Sequence, residues 1–193
     1  GLPLDCEAVL LMETDGHPAV VEEEAAKMCA IAKTNACRTV KIAANAAEAN
    51  QLAEGRRVSL SALAKVSPTT ILEDVTVPRS ELVKMVRFVQ SVAQKYQLKV
   101  GIFGHFGDGN LHPTFLTDEK NPDQMQVVEQ AYDEIFKEAL RLGGSVTGEH
   151  GVGVAKKKVL PEALGDQALQ VMRFMKKSLD PNGILNPGKM FDL

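Results

Sequence analysis

The chain has 193 residues, 45% of them hydrophobic and 24% charged, which is the balance of a globular domain rather than a disordered tail or a fibre. Lys and Arg number 22 against 25 Asp and Glu, a net charge of −3, so no basic surplus exists to hold a phosphate backbone or an anionic lipid surface. Seven Phe, two Tyr and no Trp leave few platforms for stacking bases, and nucleic acid is not an expected partner.

A chain of this length can bury a full core, as one large domain or two small lobes. Cys6, Cys29 and Cys37 form no C-x-x-C pair, so neither a zinc ribbon nor a disulfide framework is expected. They read as small buried hydrophobes of a reducing compartment. No apolar run reaches the roughly 18–20 residues that span a bilayer. The start GLPLDCEAVLLMETDG lacks a basic segment followed by an apolar one, and its first residue is not Met, which leaves room for an upstream segment.

In chain order, residues 7–14 (EAVLLMET) predict a strand ended by Asp15-Gly16. Pro18 then opens a helix with Val21, Ala25, Met28 and Ala32 on one face and Glu22, Glu23 and Glu24 expected to load its first turn. Residues 39–43 predict a second strand, followed by an Ala-rich helix running to about Leu63. Residues 71–77 (ILEDVTV) predict a strand stopped by Pro78, and Ser80 can cap a helix whose Leu82, Val86, Val89, Ala93 and Tyr96 recur at helical spacing. Strands are expected at 99–103 and 111–116, a helix at 122–142, a short strand at 145–147 and a last helix at 161–179. From residue 71 the order is strand, helix, strand, strand, helix, strand, which is ferredoxin-like. The expected class is therefore α+β, a mainly antiparallel sheet with helices on one face, in one and a half or duplicated units. The open face of the sheet then needs cover from another domain or subunit.

Three of the four histidines fall in two glycine-rich segments, GIFGHFGDGNLHPTF with His105 and His112, and GEHGVG with Glu149 and His150. Such glycine density costs backbone entropy and marks positive φ or close approach. On an unbroken strand His105 and His112 would point to opposite faces, whereas a turn centred on Gly107, Asp108 and Gly109 lets both imidazoles converge. Two His and a carboxylate form a common ligand set for Zn²⁺, Mn²⁺ or Fe²⁺, and Glu149 is the best third ligand. His150 beside it would be an imidazole available for proton transfer. The competing reading is that the histidines are simply solvated or bonded to backbone. Asp108 reads as a turn former and His17 as a turn residue, and the run Lys156 to Lys158 as a solvated face. Arg56-Arg57 reads either as surface charge or as a fork for a carboxylate.

Together GHFGDGNLHP, GEHGVG and the tail LDPNGILNPGKMF resemble the C-terminal domain of FAD-linked oxidases, in the glycolate oxidase and D-lactate dehydrogenase branch. The segment GRRVSLSALAKVSPTTILEDVTVPRSEL is similar to that branch too, where an Arg precedes a D-x-x-x-P strand end, and the likeness runs from about residue 5 to the C-terminus. The resemblance implies that 1–193 is a cap and substrate domain, with the FAD-binding domain lying N-terminal to it and absent from this chain, so that the chain alone is not a competent dehydrogenase. It implies FAD and a divalent Zn, Mn or Fe as cofactors, with His105, His112 and Glu149 as metal ligands and His150 as the base. Arg56 is implied to grip the substrate carboxylate, with Arg57 the lesser register, and Asn186 to lie where the chain end returns toward the flavin. Ala53 departs from the Trp that relatives commonly carry ahead of that Arg. The implied partners are a small 2-hydroxy acid, the FAD-binding domain and an electron-transfer subunit, with room for a homo-oligomer. The implied setting is cytoplasmic, reaching a membrane only through partner subunits. Two other readings stay open: a stand-alone metallohydrolase using the same His-His-Glu set, and a ligand-sensing or oligomerisation module whose glycine loops merely turn.

Overall fold

A computed structural model describes residues 3 and 5–193, which divide into two compact units meeting in sequence at residues 62 and 63. The first unit carries α1 (Pro18–Thr34) and α2 (Ala46–Arg57); α3 (Ser59–Leu63) spans the division. His17 is the N-cap of α1, its Nδ1 accepting the Ala19 N–H at 3.4 Å. Asn45 caps α2 by accepting the Glu48 N–H, while the Glu48 carboxylate takes the Ala44 N–H, a reciprocal arrangement akin to a capping box. Neither helix has a fully buried residue.

The strands expected at 7–14 and 39–43 are absent: among the described residues both segments run without a ladder partner, and Val9, Leu10, Leu11, Met12 and Ile42 stand exposed. An apolar run signals a strand only if another strand takes its backbone groups, and here none does. The cysteines differ from expectation as well, Cys37 being exposed and Cys6 and Cys29 half-buried; all three are free thiols.

The second unit holds the sheet: β1 (Thr69–Leu72), β2 (Val75–Thr76), β3 (Lys99–His105) and β4 (Asn110–Thr117), with α4 (Leu82–Lys95), α5 (Pro122–Arg141) and α6 (Leu160–Leu179). β4 is central and antiparallel to all its neighbours, with β1 and β2 on one side and β3 on the other. β1 and β2 keep one register against β4, from Thr69 opposite Thr117 to Thr76 opposite Asn110. They are one strand interrupted at Glu73 and Asp74. There Glu73 donates its N–H to the Pro113 carbonyl at 3.2 Å, and Pro113 has no N–H to return. Ser145 forms an isolated bridge with Thr76 on the outer edge, so the final strand of the ferredoxin-like order shrinks to one residue pair. The fold is α+β with a four-stranded antiparallel sheet, and one ferredoxin-like order is formed, in the second unit.

Strand alternation then sorts the side chains. Val75, Leu111 and Phe115 point to the helices and join Met85 and Val89 of α4 and Ile135 and Phe136 of α5 in the core. Asp74, Thr76, Phe103, His105, Asn110 and His112 fall on the opposite face. That face is not left entirely to a partner, because the loop 147–156 folds over part of it and hydrogen-bonds to Asp74. The helix expected from 161 begins at Leu160 and is broken at Gly165 (φ 76°, ψ 161°).

Candidate functional site

β3 and β4 supply the histidines. β3 ends on His105, a single 3-10 turn covers Phe106–Asp108, and Gly109 (φ 78°, ψ 10°) turns the chain into β4. His105 pairs with Asn110 and Phe103 with His112, so both imidazoles share the open face, 5.5 Å apart and edge to face. The loop after the Ser145 bridge brings Glu149 and His150 over them. The His150 ring stacks on His112 at 4.9 Å with the planes 5° apart.

The centre of this group is one oxygen. Glu149 Oε1 lies 3.1 Å from His112 Nε2, 3.4 Å from His105 Nε2 and 3.6 Å from His150 Nε2. The ligating atoms of His105, His112 and Glu149 fall within 4.8 Å of one another. Ligands held at about 2.0–2.1 Å around a tetrahedral Zn²⁺ sit about 3.3 Å apart, close to the Glu149 spacings to His105 and His112. Burial, then the neighbouring His150, pull His112 below the usual imidazole range, which favours the neutral form a cation needs. His112 Nδ1 is buried with no hydrogen-bond partner, whereas a ligating histidine usually donates its other ring N–H to a carboxylate, carbonyl or water. His105, Glu149 and His150 are part-exposed, so this side of the group faces solvent.

Two residues outside the expected set hold this geometry. Asp74, fully buried, accepts N–H groups from Gly148, Glu149 and His150 at 2.6, 2.7 and 3.1 Å, and the Thr147 hydroxyl at 3.1 Å. Burial would raise its carboxyl, but the Lys156 ammonium and the N–H groups of Glu149 and His150 outweigh that and hold it far below the usual carboxylate range. Lys156 overturns the reading of 156–158 as a solvated face: it is 1% exposed and binds the Asp74 carboxylate, the Asp74 carbonyl at 2.8 Å and Glu73 at 3.1 Å. A lysine beside Asp74 can be buried because its charge is matched. Lys157 and Lys158 stay at the surface, paired to Asp192 and Asp133. The available signal for Asp74 was its place in the D-x-x-x-P strand end, DVTVP; nothing local marked Lys156.

The remaining expected residues lie on other segments of the chain. Arg56 is near the C-terminus of α2 in the first unit, where Arg57 is tied to Glu54 at 2.9 Å and to the Asn50 carbonyl at 2.8 Å. Asn186 sits exposed in a left-handed turn (φ 48°) whose carbonyl accepts the Lys189 N–H. From there the tail returns to the glycine loop, Met190 N–H donating to Gly153 O at 2.7 Å. Asp108 lies in the turn, as expected of it.

An antiparallel α+β layer whose open face gathers two histidines and a glutamate defines a candidate divalent-cation centre. The chain belongs to the family described as FAD linked oxidases, C-terminal domain, which matches residues 1–190. It is 50% identical over 191 residues to glycolate oxidase subunit GlcD of Bacillus subtilis (strain 168), covering 99% of this chain and 41% of that one. Against glycolate oxidase subunit GlcD of Escherichia coli (strain K12) the identity is 32%, covering 98% and 38%. Against the mitochondrial D-lactate dehydrogenase [cytochrome] 1 of Saccharomyces cerevisiae it is 33%, covering 90% and 30%. The chain thus spans between 30% and 41% of the length of these relatives.

Proposed function

We propose that this chain is the cap and substrate domain of an FAD-dependent oxidoreductase that converts a small 2-hydroxy acid, of glycolate or D-lactate type, to the 2-oxo acid. The observation that carries the reading is the convergence of three imidazole Nε2 atoms on Glu149 Oε1, in a chain of this family. His105, His112 and Glu149 would hold a divalent Zn, Mn or Fe, and the cation would polarise the substrate hydroxyl and lower its pKa. Bound FAD would supply the two-electron acceptor, the substrate giving up its hydroxyl proton and the C2 hydride. An FAD-binding domain supplies the flavin, and an electron-transfer subunit reoxidises it.

This chain's own work is placement and proton handling. His150 receives the hydroxyl proton at Nε2, a role usually worth about 10²–10⁴ in rate. Its stacking on His112 fixes the ring plane, with Nε2 3.6 Å from Glu149 Oε1. Burial favours the neutral form of His112, whose Nε2 faces the centre. Arg56 takes the substrate carboxylate and Asn186 the flavin side, both assigned by family resemblance. The proposed setting is the cytoplasm, with a membrane reached only through partner subunits. No helix among the described residues is long and apolar enough to cross a membrane.

In the full-length protein, His105→Ala and Glu149→Ala are expected to abolish turnover of glycolate and D-lactate while the flavin absorption of the purified protein is retained. Normal activity in both variants rejects the cation role. Hydrolysis of ester or phosphoester substrates by this chain with metal alone would favour the metallohydrolase instead.

A further inference from the structure

Beneath the histidine–glutamate group lies a buried ion pair that the proposed chemistry does not use. Asp74 occupies the interruption between β1 and β2, in register opposite His112. Its Oδ2 receives three successive N–H groups, from residues 148, 149 and 150, and its Oδ1 meets Lys156. Lys156 closes the far end of the same loop onto the same residue through the Asp74 carbonyl. Gly148 passes so close to the sheet that a Cβ would fall 2.3 Å from Thr76 Oγ1 and 2.4 Å from Asn110 Nδ2.

Three consecutive N–H groups aimed at one point form an anion nest. Here the anion is the protein's own carboxylate. Those N–H groups fix the backbone from which the Glu149 and His150 side chains project, so the carboxylate settles where both side chains begin. A buried ion pair is weak evidence for stability, because two apolar residues of similar volume often serve packing as well. What an apolar pair lacks is the capacity to accept three N–H bonds, and an Asn at the position would turn an NH₂ toward donors.

We infer that Asp74 is a positioning residue: its carboxylate, paired to Lys156, holds the 148–150 backbone so that Glu149 and His150 face His105 and His112. The zinc arm of the test rests on the cation reading above; the exchange arm does not. Asp74→Asn and the double variant Asp74→Asn/Lys156→Met are made in the full-length protein. Asp74→Asn alone strands a buried lysine charge and is expected to melt well below the parent, whereas the double variant removes both charges and recovers most of that loss. Amide exchange at 148–150 is expected to accelerate about tenfold or more in both, while Leu111 and Phe115 stay protected in the double variant. Zn²⁺ affinity, from competition against a chelating dye, is expected to fall about 10–100-fold in both variants, the range typical of groups that orient metal ligands.

If the double variant recovers loop protection and zinc affinity along with stability, Asp74 is merely structural and the inference is overturned. Unchanged exchange at 148–150 in both variants overturns it too, whatever the zinc titration gives. Faster exchange in a protein whose parent form binds no Zn²⁺ supports the anchor and counts against the cation reading alone.

Discussion

At Gly109 the whole approach of His112 to His105 depends on one missing methyl group. The residue has φ 78°, its carbonyl accepts the Val77 N–H at 3.0 Å, and a Cβ would lie 2.1 Å from the Val77 carbonyl oxygen. Gly109→Ala is expected to cost about 1–3 kcal/mol from the left-handed backbone, with the backbone overlap adding to it. Gly107→Ala, in the same turn, meets nothing within 4 Å and serves as the control. Thermal unfolding of the two variants should separate them by several degrees; equal melting would mean that Gly109 is not the constrained position. The same contrast shows which residues of the site were legible. His105, His112, Glu149 and His150 stood out because their chemistry and glycine-rich surroundings are local features of the sequence. Lys156 did not, and Asp74 showed only its place in DVTVP, since the two meet across 82 positions. A carboxylate in a strand and one lysine of three carry no mark of burial until the loop and strand are brought together.

Among the elements, β4 carries the most consequence, because it lines the site on one face and the core on the other. Its Pro113 carbonyl accepts both the Glu73 N–H and, at 3.0 Å, the Tyr132 hydroxyl, which also bonds the Ile71 carbonyl at 2.6 Å. Burial pushes the Tyr132 phenol far above its ordinary range, so its one proton stays in place and is shared between these two carbonyls. Tyr132→Phe is expected to destabilise by about 1–3 kcal/mol through the buried acceptors it leaves, and to leave Zn²⁺ affinity unchanged; chemical denaturation with a zinc titration checks both. Between α4 and α5, Glu134 accepts from Lys95 at 2.6 Å and Tyr96 at 2.5 Å, and these two bonds lower its pKa. With its folded pKa below the unfolded one, Glu134 adds stability above the ordinary glutamate pKa of about 4.3. That contribution is lost as pH falls through this range toward the folded value, because the unfolded chain then binds the extra proton. Glu134→Gln should therefore narrow the gap to the parent between neutral and acid pH, as read from denaturation midpoints at pH 7 and pH 3.5. The helical elements were legible because their periods are local: Leu82, Val89 and Ala93 were placed correctly on α4. The start was not, since Ser80 lies in a 3-10 turn and makes no cap; Met85 and Val92 join the buried face, and Val86 and Tyr96 pack half-buried against it.

For the molecule as a whole, the two units differ in what holds them together. The main core runs from Val75 to Val159, and a smaller one joins Val152, Leu160 and Leu169 to Met190 and Phe191. Among the described residues of the first unit none is fully buried. Helices of the size of α1 and α2, at 17 and 12 residues, are marginal in water without an apolar face packed against something. The ferredoxin-like order was legible from residue 71 because strands and helices alternate there with clear turns. The first sixty residues misled, since a strand's existence depends on a partner that its own pattern does not name. Stability should follow the same division, with local opening concentrated where buried contacts are few. Brief trypsin treatment of this chain is expected to cut first at Lys27, Lys33, Arg38, Lys41 and the Arg56-Arg57 pair. A fragment that starts after Arg57 and runs through β4, α5 and the 147–156 loop should persist, identifiable by its intact mass. It should still take up Zn²⁺, because every group around Glu149 belongs to the second unit. Cleavage at Lys137 or Arg141 within α5 as early as at Arg56 would show that the two units open together and that the core from Val75 to Val159 is not an independent source of stability.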